Sequence, residues 1–223
     1  MMYAWLVLPL AVAVLDWVAV YRNWGIVHAV AKQGVIIALI GWLWLATNWE
    51  GLLLWFGLAL VFSWVGDVLL LSKDYFLPGL LAFLLAHLAY LLGLNLTTTL
   101  LSPITLGIVL GAALLVSMIY PPIRAGLRRH PGNAKLRLPV MVYGFILSLM
   151  MMSAVATLFR LEWTVWSGIL MATGGVLFFI SDNILARDRF VHPIRNGQLT
   201  VMVTYHLAQI AIIAGAVLHF SKL

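Results

Sequence analysis

The chain has no cysteine, and only 9% of its 223 residues are Asp, Glu, Lys or Arg. The first absence excludes disulfides, thiol nucleophiles and thiolate metal sites. The second excludes an ordinary soluble domain, in which about a quarter of the residues are charged. Hydrophobic residues reach 64%, against roughly 45–50% in soluble domains. A protein this small has too much surface for its volume to hide so much apolar area internally. Lipid is therefore part of its solvent, and a soluble enzyme, a disordered tail and a nucleic-acid-binding domain are all excluded. The net charge of +6 rests on 13 Lys and Arg, so their placement says more than their sum. No linker or low-complexity segment divides the chain, which reads as a single membrane domain over 1–223.

A membrane-spanning helix needs about 20 mostly apolar residues. Eight stretches qualify, at 2–21, 33–48, 51–71, 77–95, 103–120, 138–158, 163–182 and 198–220. The second is the shortest, bounded by Lys32 and Glu50, and without it seven spans would remain. Residues 75–123 carry no charge but are too many for one span; Asn95, the threonines at 97–99 and Pro103 divide them. The fold class is thus all-α, a polytopic membrane helix bundle. Short cytoplasmic loops accumulate Lys and Arg. Connections after the odd-numbered spans hold Arg22, Lys32, Lys73, Arg124, Arg128, Arg129, Lys135, Arg137, Arg187, Arg189 and Arg195, whereas the other side holds Arg160 and Lys222. That imbalance predicts both termini outside the cytoplasm, in a plasma membrane of the bacterial inner-membrane kind. No positive region precedes the first apolar run, so a cleaved signal peptide is not expected. Asn95-Leu96-Thr97 matches a glycosylation acceptor but lies too close to the bilayer for use.

An ionisable residue inside a span is costly and marks function by default. Asp16, Asp67 and Asp182 qualify. Asp67 precedes Lys73 by six residues and Asp182 precedes Arg187 by five, which sets both on the order of 8 Å above the cytoplasmic boundary. Spans running back outward bring His87 and Tyr90, Tyr143, and Tyr205, His206 and Gln209 toward that level, with Ser63 one turn from Asp67. The outer halves are nearly all aliphatic or aromatic, so a polar chamber open to the cytoplasm is expected. Val65-Gly66-Asp67-Val68-Leu69-Leu70 also aligns with Ile180-Ser181-Asp182-Asn183-Ile184-Leu185, and His87-Leu88-Ala89 with His206-Leu207-Ala208. Spans 3–4 and 7–8 would then be parallel repeats related by an axis along the membrane normal, with Asp67 and Asp182 as partners across it.

Each residue also has a plainer reading. Asp67 could be a structural carboxylate bonded to Ser63 or a neighbouring helix, although two acids at equal depth with similar flanks favour function. Asp16 reads as an interfacial ion pair with Arg22 or Lys32. His87 and His206 could be interhelical supports, and Tyr205 and Gln209 hydrogen-bond glue. Gly66, Gly174 and Gly175 read as close-packing positions. The arginine-rich connection around Arg128, Arg129, Lys135 and Arg137 is a topology signal, with anionic headgroup attraction second. Membrane zinc hydrolases commonly use a His pair at helical spacing; no two histidines here stand three or four apart, so no metal and no cofactor are expected. No nucleophile-elbow pattern surrounds Ser63 or Ser181.

Taken together, Phe62-Ser63-Trp64-Val65-Gly66-Asp67-Val68-Leu69-Leu70, the Phe83…His87…Tyr90 spacing after Gly79, Gly175-Val176-Leu177-Phe178-Phe179-Ile180-Ser181-Asp182 and Thr204-Tyr205-His206-Leu207-Ala208-Gln209 resemble the lysoplasmalogenase (YhhN-like) family of eight-helix membrane proteins. The resemblance covers nearly the whole chain through the order and separation of these segments. Lys32-Gln33 stands where the family commonly has Lys-Pro, and His206 where another aromatic or aliphatic residue is usual. The resemblance implies hydrolysis of the vinyl ether bond of a lysoplasmalogen to a fatty aldehyde and glycerophosphocholine or glycerophosphoethanolamine. Such a bond is cleaved by protonating its β-carbon and capturing the oxocarbenium ion with water, which requires one protonated acid and one anion rather than a metal. Two carboxylates close together in low dielectric can divide those roles.

The expected catalytic pair is therefore Asp67 and Asp182, without assignment of which is the acid. His87, Tyr205 and Gln209 would position water or hold the acids, with Ser63 and Tyr90 in support. Asn183 and Tyr143 would bind the polar part of the substrate. The alkenyl chain would lie among the outer halves of the helices, and the headgroup near Arg128, Arg137 or Arg195. The expected partners are the lysophospholipid substrate and membrane lipid. A proton-coupled transporter or a lipid-binding membrane protein are the competing classes. The first needs polar residues through the whole bilayer and access from outside; the second needs no pair of acids at one depth.

Overall fold

A computed structural model describes residues 6–97, 102–129 and 135–221. Among them there are eight α-helices and no strand: α1 Val7–Tyr21, α2 Gly25–Thr47, α3 Leu53–Leu69, α4 Phe76–Asn95, α5 Pro103–Arg129, α6 Arg137–Ala156, α7 Val165–Phe190 and α8 Gly197–Phe220. Six are long and apolar enough to cross a membrane, while α1 and α3 are apolar but shorter, at 15 and 17 residues. The chain is a polytopic membrane helix bundle. Residues 2–5 of the first expected span, Thr98, Thr99 and Lys222 lie outside the described residues.

Three helices depart from the spans expected from hydropathy, all at the cation-rich end. α2 begins at Gly25 rather than 33. The chain turns sharply at Asn23, whose φ of 56° is a left-handed conformation that asparagine tolerates better than most residues. The polar stretch up to Gln33 is therefore helix, and Lys32 is a buried helical residue rather than a loop cation. α5 continues through Pro121-Pro122 to Arg129 instead of ending at 120. Proline is tolerated in membrane helices because other groups can satisfy the carbonyls it leaves free. α7 continues to Phe190, eight residues past the expected end. That tip is held from two sides: Arg189 lies 3.9 Å over the Phe76 ring, Phe190 meets Phe76 edge-on at 5.6 Å, and Gly126 of α5 approaches the Phe190 carbonyl too closely for any side chain.

The other ten cations expected at this end remain there in sequence, in connections or helix tips. Arg160 stands at the opposite end as expected, where its guanidinium donates to the Leu94 carbonyl at 2.6 Å and to Asn95 Oδ1 at 2.7 Å. Asn95 donates in turn to the Leu91 carbonyl and Ser153 Oγ, each at 3.0 Å. The side chain of the glycosylation-like triplet is thus an internal bridge between α4, α6 and the connection after α6.

Small residues let the helices meet closely, the usual device where lipid removes the hydrophobic drive between helices. Gly66 faces the Phe83 ring, Gly93 the Phe56 ring, and Gly175 the Cβ of Ala154. Gly174 lies directly against the backbone of α8. A Cβ there would stand 2.8 Å from the Ile212 nitrogen and 2.9 Å from the Ala208 carbonyl oxygen, atoms that cannot swing aside. Gly174→Ala must separate α7 from α8, at an expected cost of about 1–3 kcal/mol. A lower melting temperature in detergent would register it, whereas Gly107→Ala, with nothing within 4 Å of the new methyl, should leave stability unchanged or higher.

Candidate active site

A carboxylate in the interior of this bundle needs partners, since an unpaired buried charge costs several kcal/mol. Asp67, in the last turn of α3, has two: Lys32 Nζ of α2 lies 2.9 Å from Oδ1, and Tyr205 of α8 donates its hydroxyl to Oδ2 at 2.8 Å. Behind Tyr205 a polar chain leads away from the carboxylate. Gln209 donates to Ser63 Oγ at 3.0 Å and to the Tyr205 oxygen at 3.3 Å, and its own carbonyl accepts from Tyr90 at 2.5 Å. Gln209 thus ties Tyr205, Ser63 and Tyr90 together, and all four are buried.

Asp182 of α7 has different company. Tyr143 of α6 donates to its Oδ2. The Tyr143 oxygen lies 3.0 Å from His87 Nε2, so the imidazole proton is directed at Tyr143, and Nε2 is 3.6 Å from the carboxylate itself. His87 is held by Phe178, whose ring meets it edge-on at 4.7 Å. Lys32 pairs with Asp67, not with Asp182. The Asp182 side chain is 12% exposed, against 2% for Asp67.

Both acids line one cavity of about 580 Å³, within the range typical of small-molecule sites. Its polar wall includes Lys32, Tyr143, Tyr205, Ser181 and Asn183. On one side its apolar wall is Val116, Ile119 and Ile123 of α5 with Val140 and Leu147 of α6, and α4 and α7 add Leu80, Phe83 and Phe179. The lining runs from the cation-rich end of the helices to about the middle of α5 and α6 and stops there. It does not enter the opposite halves, where the alkenyl chain was expected. Arg128, Arg137 and Arg195, expected beside the headgroup, are not among its walls; the basic side chains that are belong to Lys32 and His28. Among the described residues, no three His, Asp or Glu side chains gather as metal ligands would.

The residues singled out in the sequence divide into two sets. Asp67, Asp182, Tyr143, Asn183 and Tyr205 face the cavity; Ser63, His87, Tyr90 and Gln209 do not line it and support those that do. Tyr143, expected as a substrate ligand, spends its proton on Asp182, and the Asn183 amide donates to the Phe179 carbonyl at 2.7 Å. Ser63 serves Gln209 rather than Asp67. Asp16 pairs with neither Arg22 nor Lys32. It meets His28 Nδ1 at 2.7 Å, with His206 Nδ1 3.9 Å away. His206, aligned with His87 by the apparent repeat, accepts from the Trp17 indole at 3.2 Å instead.

Lys32, His28, Asp188 and Gln198 face the site without having been singled out for it in the sequence, and the first two belong together. They stand four apart, on one helix face, but this pattern becomes visible only once residues 25–33 are read as helix.

A helix bundle with a polar chamber open at one end, lined by two acids with different partners, defines a class of membrane protein with chemistry in its interior. The family model described as the YhhN family matches residues 27–216, and the chain belongs to that family. It is 31% identical to human "Lysoplasmalogenase TMEM86B" over 188 residues, 84% of this chain and 74% of that protein. The mouse protein of the same name is 35% identical over 191 residues, 85% and 75% of the two chains. Bovine "Lysoplasmalogenase TMEM86A" is 32% identical over 167 residues, 71% and 63%. No solved structure matches the chain.

Because Lys32 is the cation against a buried Asp67, Lys32→Met should cost about 3–5 kcal/mol by leaving that charge unpaired. Lys32→Met combined with Asp67→Asn removes both charges and should recover most of the loss. Melting of the two purified variants in one detergent checks this, and equal destabilisation by both would contradict it.

Proposed function

We propose that this chain is a membrane-embedded lysoplasmalogen hydrolase, in which Asp182 is the acid and Asp67 the carboxylate. The observation that carries the reading is the pair of unlike acids on one half-depth cavity: Asp67 against an ammonium, Asp182 against a tyrosine. The similarity to proteins named lysoplasmalogenase over most of the chain supports the same reaction.

In this mechanism the Asp182 carboxyl gives its proton to the β-carbon of the vinyl ether. The π electrons form the new C–H bond, and the ether oxygen shares the resulting positive charge as an oxocarbenium ion. Asp67, ionic beside Lys32, stabilises that cation and takes a proton from the water that attacks the α-carbon. The hemiacetal then collapses. Its C–O bond to glycerol breaks as Asp67 returns the proton to the glycerol oxygen and Asp182 takes the hydroxyl proton. One water is consumed, one aldehyde leaves, and both acids regain their starting protonation. Tyr143, itself held by His87, orients Asp182; Tyr205, held by Gln209, orients Asp67. The alkenyl chain lies along the α5–α6 wall of Ile119, Val140 and Leu147. The cation-rich end faces the cytoplasm, so substrate and water arrive from that side.

General acid–base assistance is worth about 10²–10⁴-fold. Asp67→Asn and Asp182→Asn should each lose at least about 10²-fold in aldehyde release from a lysoplasmalogen, and wild-type protein should release none from the saturated-ether analogue. Near-normal release by either folded variant defeats the two-acid mechanism; release of nothing by the wild type defeats the substrate.

A further inference from the structure

We propose that His28, backed by Asp16 and flanked by Gln198, binds the phosphodiester of an ether lysophospholipid at the mouth of the cavity. The assignment rests on the hydrolase reading above and names the substrate feature that the catalytic pair leaves unread.

Asp16 is fully buried, and its one hydrogen bond goes to His28 Nδ1 at 2.7 Å. Its other oxygen, Oδ2, has no hydrogen-bond partner. His206 Nδ1, 3.9 Å from that oxygen, accepts the Trp17 indole proton and so has none there to offer. A half-satisfied buried carboxylate is a poor way to stabilise a fold, since apolar replacements of buried polar pairs are often neutral or better. What Asp16 does achieve is to fix a ring. With Nδ1–H committed to Asp16, Nε2 of His28 is turned the other way, where Gln198 Nε2 lies 3.2 Å from it. His28 and Gln198 both line the cavity, as does Gly25 in the first turn of α2.

Spacing ties this corner to the reaction centre. Lys32, which holds Asp67, is one helical turn deeper than His28, a rise of about 6 Å. In a glycerophospholipid the ether oxygen and the phosphorus are separated by five bonds. Three backbone bonds span 3.8 Å, so five extended bonds reach roughly 6 Å. A vinyl ether at Asp67 and Asp182 therefore sets its phosphate at the level of His28. With a phosphate oxygen in place Nε2 takes up a proton from water together with the anion and donates it to the ligand, Nδ1–H stays on Asp16, and the Gln198 amide turns from His28 to a second phosphate oxygen. The same cavity is lined by Asp188, whose Oδ1 accepts from the Ile194 amide at 2.6 Å. A donor corner and an acidic wall on one mouth suit a zwitterionic headgroup better than a purely anionic one.

The test is binding of an uncleavable alkyl-ether lysophospholipid and of its phosphate-free counterpart, an alkylglycerol, to the full chain in detergent. A charge-assisted hydrogen bond lost should cost about tenfold or more in affinity. His28→Gln, and Asp16→Asn with His28→Gln as a neutral pair that leaves no charge stranded, should both weaken the phospholipid by that factor. Both should bind the alkylglycerol as wild type does, which also reports that the cavity is folded. Equal weakening of the two ligands, or an unchanged phospholipid affinity, overturns the inference. Inorganic phosphate is the third arm: if it binds as tightly as the lipid with the same dependence on His28, the corner serves a free anion and the headgroup assignment fails. Because the probe is not cleaved, failure of the wild type to release aldehyde sinks the hydrolase reading without touching this result.

Discussion

The ion pair between Lys32 and Asp67 is the constraint from which the rest of the site follows. A carboxylate and an ammonium at 2.9 Å inside an apolar bundle attract each other far more strongly than in water, but each has given up its hydration to be there. The pair holds only if the remaining valences are met. Tyr205 meets one on the acid, and Tyr205 must in turn be held, which brings in Gln209, Ser63 and Tyr90. One buried charge thereby recruits side chains from α2, α3, α4 and α8, and it fixes the rotation of α2 about its axis. The rotation that brings Lys32 to Asp67 also brings His28, one turn away, to the mouth of the same cavity.

The two acids are wired separately, and the separation has chemical content. Asp67 takes its partners from α2 and α8, Asp182 from α6, with His87 of α4 behind. No side chain hydrogen-bonded to one acid is hydrogen-bonded to the other among the described residues. Two carboxyls with the same surroundings would compete for one proton indifferently. An ammonium beside one and only neutral tyrosine bonded to the other breaks that symmetry before any substrate arrives. The proposed mechanism asks opposite roles of the two aspartates, and this difference in partners is the feature by which it assigns them.

Much of this was legible in the sequence, because hydropathy reports directly on a lipid solvent. The bundle, the count of helices and the two acids near the cation-rich end were all readable, and so were the small residues Gly66, Gly174 and Gly175 at helix contacts. What misled was the assumption that polarity marks a helix end. Arg22, His28 and Lys32 read as a connection, yet His28 and Lys32 project from α2 into a polar chamber. The same assumption ended α7 at Asp182, although eight further residues remain helical. Equal depth was argued from distance to the next cation; Arg187, the cation used for α7, is itself helical, and the two acids line one cavity. Pairings from one helix to another, such as Tyr143 with Asp182 or Asp16 with His28 rather than Arg22, carry no signal in spacing at all.

The half-depth of the cavity bears on the kind of work done there. A carrier must expose its site alternately to both sides, so the helices beyond the site have to part. Here the halves beyond the cavity are joined by contacts of the least yielding sort. Gly174 lies against the α8 backbone, and Gly215 against the α7 backbone with Met171 N and Ser167 O at 3.0 Å from its added Cβ. The Arg160 guanidinium closes the end of α4. Separating them would strand buried polar groups as well as lose packing. A hydrolase of a membrane lipid has the opposite requirement. Its water and its polar product use one aqueous face, and the cleaved chain never needs to leave the bilayer. A chamber sealed beyond mid-depth, with acids near its mouth and an aliphatic wall along α5 and α6, meets that requirement without any large movement of the bundle.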